Sequence, residues 1–433
     1  MQVSVESDGG LKRRMKVEVP AERVDQEVDN RLRSLGRKAK LPGFRPGKVP
    51  FKVMRQQYGD QVRADVINEV VRSSWSEALE QESLRPAGGP EINEIQSEPG
   101  EQLVYEAAFE IYPEIQLSSI AGESIERPKV EISDSDVDAM IENLRSQHAD
   151  WKSVDKAAAE GDQVKVDFEG TVDGEVFEGG SGEGVDIELG AGRLLKDFEE
   201  GLKGAKPGAD LEIKVDFPED YGSKDLAGKQ AMFTVKVHDV QEKDLPEVNE
   251  EFCEKFGITE GGVDQLRSEV QENMARELDQ TIRGQLKEQV MDKLLEKNEV
   301  DVPQAMVDQE IESLKQDTMQ RMGIQDPKQA PDLPNDMFQE QASRRVRLGL
   351  LMGEVIRKHE LKPGEAHIDR VLERLTAGQP NGEELAKQYR ANPQAMQQIQ
   401  TMALEEQVVD TLLEEVDVKE VEKSFQDMMN FQQ

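Results

Sequence analysis

The chain is 433 residues long with a formal net charge of −36; 33% of its residues are charged, 36% hydrophobic and 5% aromatic. That length suggests about three domains, and so acidic and aromatic-poor a composition excludes one large compact core in favour of a very soluble protein with long, exposed helical parts. No apolar run approaches the ~18–20 residues of a membrane span, and the start, Met1-Gln2-Val3-Ser4-Val5-Glu6, lacks the basic and apolar regions of a secretory signal, so neither membrane nor export is expected.

In chain order, residues 1–112 read as an α+β domain. Val3 and Val5, then Met15, Val17 and Val19, alternate as strands do. Val24, Val28, Leu32 and Leu35 follow at helical spacing and give one apolar face. Positive charge then gathers. Residues 31–55 hold nine basic residues (Arg31, Arg33, Arg37, Lys38, Lys40, Arg45, Lys48, Lys52 and Arg55) and no acid. Leu41 and Pro42 end the helix, and Gly43-Phe44-Arg45-Pro46-Gly47-Lys48-Val49-Pro50 makes a shaped loop, because proline fixes φ and glycine admits positive φ. An aromatic beside a cation on a basic tip, carried by an acidic body, suggests docking on a polyanion. Val53, Met54, Val62, Val66, Val70 and Leu79 resume a helix, and Leu103, Tyr105, Ala107, Phe109 and Ile111 alternate as a half-buried strand.

Residues 113–150 read as a connector. Pro128 lies in an extended piece, and Ser133 with Asp136 forms a capping-box pattern that opens a helix with Val137, Met140, Ile141 and Leu144 inward. Over residues 151–245 glycines crowd in and the period changes. Val164, Val166 and Phe168 alternate, as do Leu211, Ile213, Val215 and Phe217, and Phe233, Val235 and Val237; Asp173-Gly174 marks a hairpin, and only residues 194–202 look helical. This is an antiparallel β-domain with one short helix. Residues 246–433 read as helical to the end. Leu266, Val270, Met274, Leu278, Ile282, Leu286, Val290 and Leu294 recur every fourth residue, which makes one helix of about 35 residues and roughly 50 Å. Pro303 opens the next, Pro327, Pro331 and Pro334 mark a loop, and further helices carry Val346 to Val355, Ile368 to Leu375 and Leu404 to Leu413. Eleven of the 16 methionines lie beyond residue 246, and methionine suits promiscuous binding surfaces. The fold class is therefore multidomain α+β: an α+β N-terminal domain, an antiparallel β-domain and an all-α C-terminal part.

No nucleophile or metal set stands out. The single cysteine, Cys253, forbids an intrachain disulfide, which suits the cytosol; beside Phe252 and near Phe256 it reads as a small buried hydrophobe. His148, His238, His359 and His367 have no ligand spacing, so neither metal nor cofactor is expected.

The β-domain carries the most specific pattern. Val166-Asp167-Phe168-Glu169-Gly170, Asp173-Gly174-Glu175-Val176-Phe177-Glu178, Ile187-Glu188-Leu189-Gly190, the run from Leu194 to Leu202, Pro218-Glu219-Asp220-Tyr221-Gly222 and Ala231-Met232-Phe233-Thr234-Val235 follow in that order. Together they resemble the FKBP family of peptidyl-prolyl isomerases across the whole domain. The resemblance implies a bent sheet around a helix and a proline pocket lined by Phe168, Phe177, Glu178, Val185, Leu194, Leu195, Phe198, Tyr221 and Phe233. Phe198 replaces the tryptophan usual in drug-binding members, so immunosuppressant binding is not implied. The chemistry suits apolar residues. An X-Pro bond isomerises over ~18–20 kcal/mol because its amide is partly a double bond. The twisted transition state has lost that resonance and is less polar, so an aromatic pocket favours it over the planar amide.

The loop at residues 43–50 resembles the ribosome-docking signature of trigger factor, a family of bacterial ribosome-associated chaperones; Pro46 replaces a basic residue found in some members. With the FKBP-like domain and helical tail behind it, the resemblance covers essentially all 433 residues. It implies an ATP-independent chaperone that docks through residues 43–50 on the large ribosomal subunit near the nascent-chain exit. Nascent and unfolded polypeptides would be held by a helical body with arms, beside which the connector runs, and off the ribosome the chain would form a homodimer. No Gly-rich loop with a following Lys-Ser/Thr is present, so no nucleotide partner is expected. Two other readings compete: a dedicated prolyl isomerase with scaffold attached, and a nucleic-acid-binding protein using residues 31–55. The few aromatics near that stretch, and the acidity elsewhere, disfavour the second.

Overall fold

The structure, a computed structural model, describes residues 1–38, 41, 44, 49–192, 194–219, 221, 223, 226–324, 331, 333–377, 379 and 381–429, apart from the side chains of residues 38, 94 and 178. The chain divides into two compact units, residues 1–127 with 285–419 and residues 128–284 with 420–433.

The N-terminal part is a four-stranded antiparallel sheet carrying two helices. Strands β1 (Gln2–Ser7) and β2 (Lys12–Val19) are followed by helices α1 (Ala21–Lys38) and α2 (Phe51–Glu82), then β3 (Glu91–Gln96) and β4 (Leu103–Glu110), in the order β1-β2-β4-β3. Register places Val17 opposite both Val3 and Tyr105, and Met15 opposite Ala107. The alternation expected from sequence therefore puts Met15, Val17, Val19, Leu103, Tyr105 and Ala107 on one face, where Val24, Val28 and Leu32 of α1 and Val62, Val66 and Val70 of α2 cover them. Tyr105 is fully buried, and its hydroxyl is 2.9 Å from that of Ser74, so the phenol costs little to bury.

Strand β5 (Ser124–Lys129) precedes α3 (Asp134–Gln147), which opens with the expected capping box: the Ser133 side chain accepts from the Asp136 N–H, and the Asp136 side chain from that of Ser133. The antiparallel sheet that follows has β6 (Asp150–Ser153), β7 (Gln163–Val172), β8 (Glu175–Glu188), the single helix α4 (Lys196–Leu202), β9 (Asp210–Asp216) and β10 (Gln230–Asp244). Its order is β6-β10-β7-β8, with β9 also on β10. Residues 194 and 195 precede α4 rather than belonging to it, since Leu195 is extended (φ −61°, ψ 136°). Helix and sheet approach closely at Gly201, where a Cβ would stand 2.5 Å from Ile213 Cγ2. The shared core contains Val164, Val166, Leu202, Val215, Val235 and Val237.

Helix α5 (Glu250–Glu254) leads to α6 (Gly262–Lys297), the long helix foreseen from its fourfold spacing at 36 residues. In the second unit α6 packs Leu266, Val270, Met274 and Leu278 against Val137 and Ile141 of α3 and Phe252 and Cys253 of α5. Cys253 is fully buried, and burial pushes its thiol up, as befits a core residue. Helices α7 (Gln304–Arg321) and α8 (Asp336–Lys358) form a hairpin around Ile311, Leu314 and Ala342. Next come α9 (Glu365–Thr376), α10 (Gly382–Ala391) and α11 (Pro393–Glu415). Ile368, Val371 and Leu372 of α9 pack on Ile399 and Ala403 of α11.

The chain does not stay helical to its end. Strand β11 (Asp417–Glu422) forms a two-stranded sheet with β5 before the short helix α12 (Phe425–Met429). Its residues are nearly all exposed, so no buried face marks it in the sequence. Among the described residues, no helix is long and apolar enough to cross a membrane.

Candidate active site

Six aromatic rings from five places in the β-sheet region meet in T-shaped or tilted contacts. Phe233 of β10 lies at their centre, with its centroid 5.1 Å from Phe198 of α4, 6.0 Å from Phe177 of β8 and 6.1 Å from Phe168 of β7. Phe168 also meets Phe198 at 5.8 Å. The chain of rings extends from Phe177 to Phe217, 6.0 Å away, and from Phe217 to Tyr221, 4.7 Å away. Tilted and T-shaped contacts at these separations are the favoured aromatic geometries.

Local backbone features place these rings. The β7–β8 register shifts between Val166 and Phe168 and again between Glu169 and Thr171; such bulges re-aim side chains. Asp167 pins the first of them. Its Oδ1 accepts from the Gly184 N–H at 2.7 Å and its Oδ2 lies 2.6 Å from His238 Nε2. The Gly184 N–H first, then His238, hold this carboxyl below the usual carboxylate range. Glycines make room for the rings. A Cβ at Gly180 would come within 2.8 Å of the Phe177 ring, and one at Gly182 within 2.9 Å of Phe168. At Gly170 it would stand 2.5 Å from Phe233 Cε1 and 2.9 Å from Phe177 Cε1. Gly170→Ala must push two rings apart, and such overpacking costs about 1–3 kcal/mol. Its expected result is a lower thermal midpoint of this domain with a slower isomerase rate, read by calorimetry and a peptide assay.

The residues singled out from sequence fall into three groups. Phe168, Phe177, Phe198 and Phe233 are joined ring to ring, with Phe198 and Phe233 buried and Leu195 half-buried on the same core. Tyr221 joins them through Phe217 but is 39% exposed, and among the described residues its hydroxyl has no hydrogen-bond partner. Val185 and Leu194 are exposed at the surface, and Val185 and Phe168 both border the space a Cβ at Gly182 would fill. The Glu178 side chain lies outside the described residues. Phe217 was read only as the last apolar position of a strand; that it is a fifth phenylalanine of the domain, placed directly before the Pro218-Glu219-Asp220-Tyr221 motif, is the signal that could have found it. The arrangement is an apolar aromatic wall with one phenol at its rim. It can take a proline ring and offer its peptide a hydrogen bond from the phenol.

Of the basic loop, Leu41, Phe44, Val49 and Pro50 are described, while Gly43, Arg45, Pro46, Gly47 and Lys48 lie outside the described residues. Phe44 is 39% exposed. Leu35 and Phe51, in the helices on either side in sequence, are also exposed, and the Arg33 guanidinium lies 5.7 Å over the Phe51 ring. Arg31 is not free for a partner, since it pairs with Glu69 of α2 at 2.7 Å.

The comparisons with known proteins agree with this architecture. The family model "Bacterial trigger factor protein (TF)" matches residues 1–144, "FKBP-type peptidyl-prolyl cis-trans isomerase" matches 154–238, and "Bacterial trigger factor protein (TF) C-terminus" matches 262–414. The chain is 46% identical over 430 residues to the trigger factor of Thioalkalivibrio sulfidiphilus, spanning 99% of this chain and 98% of that one. It is 46% identical over 431 residues to that of Colwellia psychrerythraea, spanning 99% of each, and 44% identical over 430 residues to that of Shewanella halifaxensis, again spanning 99% of each. Fold and site thus define a chaperone with an FKBP-type peptidyl-prolyl isomerase domain. The chain belongs to the trigger factor family.

Proposed function

We propose that this protein docks on the large ribosomal subunit near the polypeptide exit, holds nascent and unfolded chains through its helical part, and isomerises their X-Pro bonds at the aromatic wall. In this reading residues 1–112 are the docking domain, 113–150 a connector beside the helical body, 151–245 the isomerase domain and 246–433 the client-binding part. The protein works in the cytoplasm, without nucleotide. The observation that carries docking is the exposed Phe44, placed among nine cations in a chain of net charge −36. A ribosomal surface attracts those cations other than the paired Arg31, while the acidic remainder is held off, which orients the chaperone as well as tethering it.

At the isomerase site Phe168, Phe177, Phe198 and Phe233 hold the prolyl ring, with Leu195, Val185 and Leu194 flanking it. Transition-state preference comes from exclusion of water around an amide that has lost its polarity. The Tyr221 hydroxyl donates to a substrate carbonyl and sets its register. Clients leave when their own folding buries the apolar segments the helices hold.

The test of docking is co-sedimentation with ribosomes. Replacing Phe44, Arg45 and Lys48 together by alanine removes an aromatic anchor and two cations. An interface anchor of this kind costs more than about 2 kcal/mol, or about thirtyfold in affinity. The wild-type interaction should also weaken as salt rises. Undiminished sedimentation of the triple variant would overturn the docking reading and leave the isomerase reading untouched.

A further inference from the structure

We infer that Phe217 is a positioning residue for the isomerase reaction: its buried ring holds Tyr221 in place at the rim of the site. The inference rests on the reading of the aromatic wall as the proline site. Tyr221 lies beyond the end of β9, outside any helix or strand, and is 39% exposed. Its ring has one aromatic neighbour among the described residues, Phe217, at 4.7 Å and 60°. Phe217 is itself 6% exposed and meets Phe177 at 6.0 Å and 85°. Its backbone is fixed too, since the Phe217 N–H donates to the Lys229 carbonyl at 2.9 Å. The next residue anchors the segment, because the Pro218 carbonyl accepts from the N–H groups of Tyr221 at 3.1 Å and Gly228 at 3.3 Å. Backbone bonds thus set where the Tyr221 main chain runs, and Phe217 sets where its ring lies. Among the described residues the phenol hydroxyl has no hydrogen-bond partner.

The role differs from that of Phe198 or Phe233. Those rings are placed to touch the prolyl ring, whereas Phe217 acts through Tyr221. An unsupported tyrosine at an exposed position samples several rotamers, and only some of them aim the hydroxyl at a substrate carbonyl. Losing the support lowers the fraction of enzyme ready to bind, which raises KM more than it lowers kcat.

The test is a double-mutant cycle on the full chain, read as kcat/KM for an X-Pro tetrapeptide, with Phe217→Leu, Tyr221→Ala and both together. Phe217→Leu keeps the site apolar and should lower kcat/KM about three- to tenfold, the worth of one aromatic pair, mainly through KM. In the Tyr221→Ala background the same substitution should have almost no further effect. Additive losses, or a rate unchanged by Phe217→Leu while Tyr221→Ala slows the reaction, would overturn the inference and leave the site standing. A rate unchanged by both Tyr221→Ala and Phe198→Ala would bring down the site reading, and the inference with it. If Phe217→Leu lowers the thermal midpoint of the domain, Phe217→Met, whose unbranched side chain adapts to the same space, replaces it in the cycle.

Discussion

Replacing Phe233 by alanine is expected to abolish most isomerase activity and to destabilise the surrounding domain by about 3–5 kcal/mol, the usual cost of emptying a buried phenylalanine site. Phe233 is 7% exposed and meets Phe168, Phe177 and Phe198 at once. It also sits on β10, which pairs with β6, β7 and β9. Its loss removes a wall of the site and the ring against which the other three are set. A ring that contributes about 2–3 kcal/mol to transition-state binding corresponds to a loss of about thirty- to 160-fold in rate. The two effects are separable. Domains commonly have ~5–15 kcal/mol of stability, so over most of that range the variant stays folded at 25 °C, and the rate per folded domain, with the folded fraction taken from hydrogen exchange, reports on the site. A proline-limited refolding assay measures the rate, and hydrogen exchange along β7 and β10 measures the stability. Suppression of aggregation of a proline-free client should survive, because the proposed function assigns that work to the helical part. A folded variant with wild-type isomerase rate would sink the assignment of the aromatic wall.

Much of this arrangement is legible in the chain because burial imposes a period. Met15, Val17 and Val19 alternate and lie beneath two helices whose own apolar residues recur at three and four. The wall is legible for a different reason: Phe168, Phe177, Phe198 and Phe233 fall within ordered segments that resemble the FKBP family, and the resemblance groups them together. Three features escaped. Leu194 and Leu195 are apolar and abut a helix, so they read as part of it, but Gly190 and Gly192 at positive φ turn the chain before α4 begins. Strand β11 has no buried face, and it exists because β5, nearly 300 residues earlier, offers it an edge. The Asp417 N–H donates to the Glu123 carbonyl, and that of Lys423 to the Lys129 carbonyl. Arg31 counts as a free cation in the sequence, while its partner Glu69 is brought near only when α1 and α2 pack. The last two misses are tertiary pairings between distant residues, which local periodicity does not encode, and the first is a local turn made by two glycines.

The same return of the chain gives the second large effect. Phe425→Ala is expected to destabilise the cluster formed by α3, α5 and the first part of α6 by about 3–5 kcal/mol. Phe425 is 3% exposed and Met428 6% exposed, and both lie with Val137 and Ile141 of α3, Phe252 of α5 and Met274 and Leu278 of α6. Helix α12 has only five residues, too few to persist alone, because an isolated helix below about 12–15 residues is marginal. It is held by what it buries, and in turn it covers an apolar face that three other helices share. Removing the Phe425 ring leaves that face partly open and α12 with Met428 as its remaining fully inserted anchor. A chain of several units does not unfold in one step, so a single melting temperature would hide the effect. Hydrogen exchange resolves it: protection should fall in α3, α5 and the N-terminal half of α6, while β7, β10 and the α7–α8 hairpin keep theirs. Isomerisation of a short X-Pro peptide should be unchanged, the reverse of the Phe233→Ala pattern. Wild-type protection in α3 and α6 would mean that the tail lies on this cluster without supporting it. Uniform loss across the β-sheet region would mean that the isomerase domain depends on the tail for its own folding.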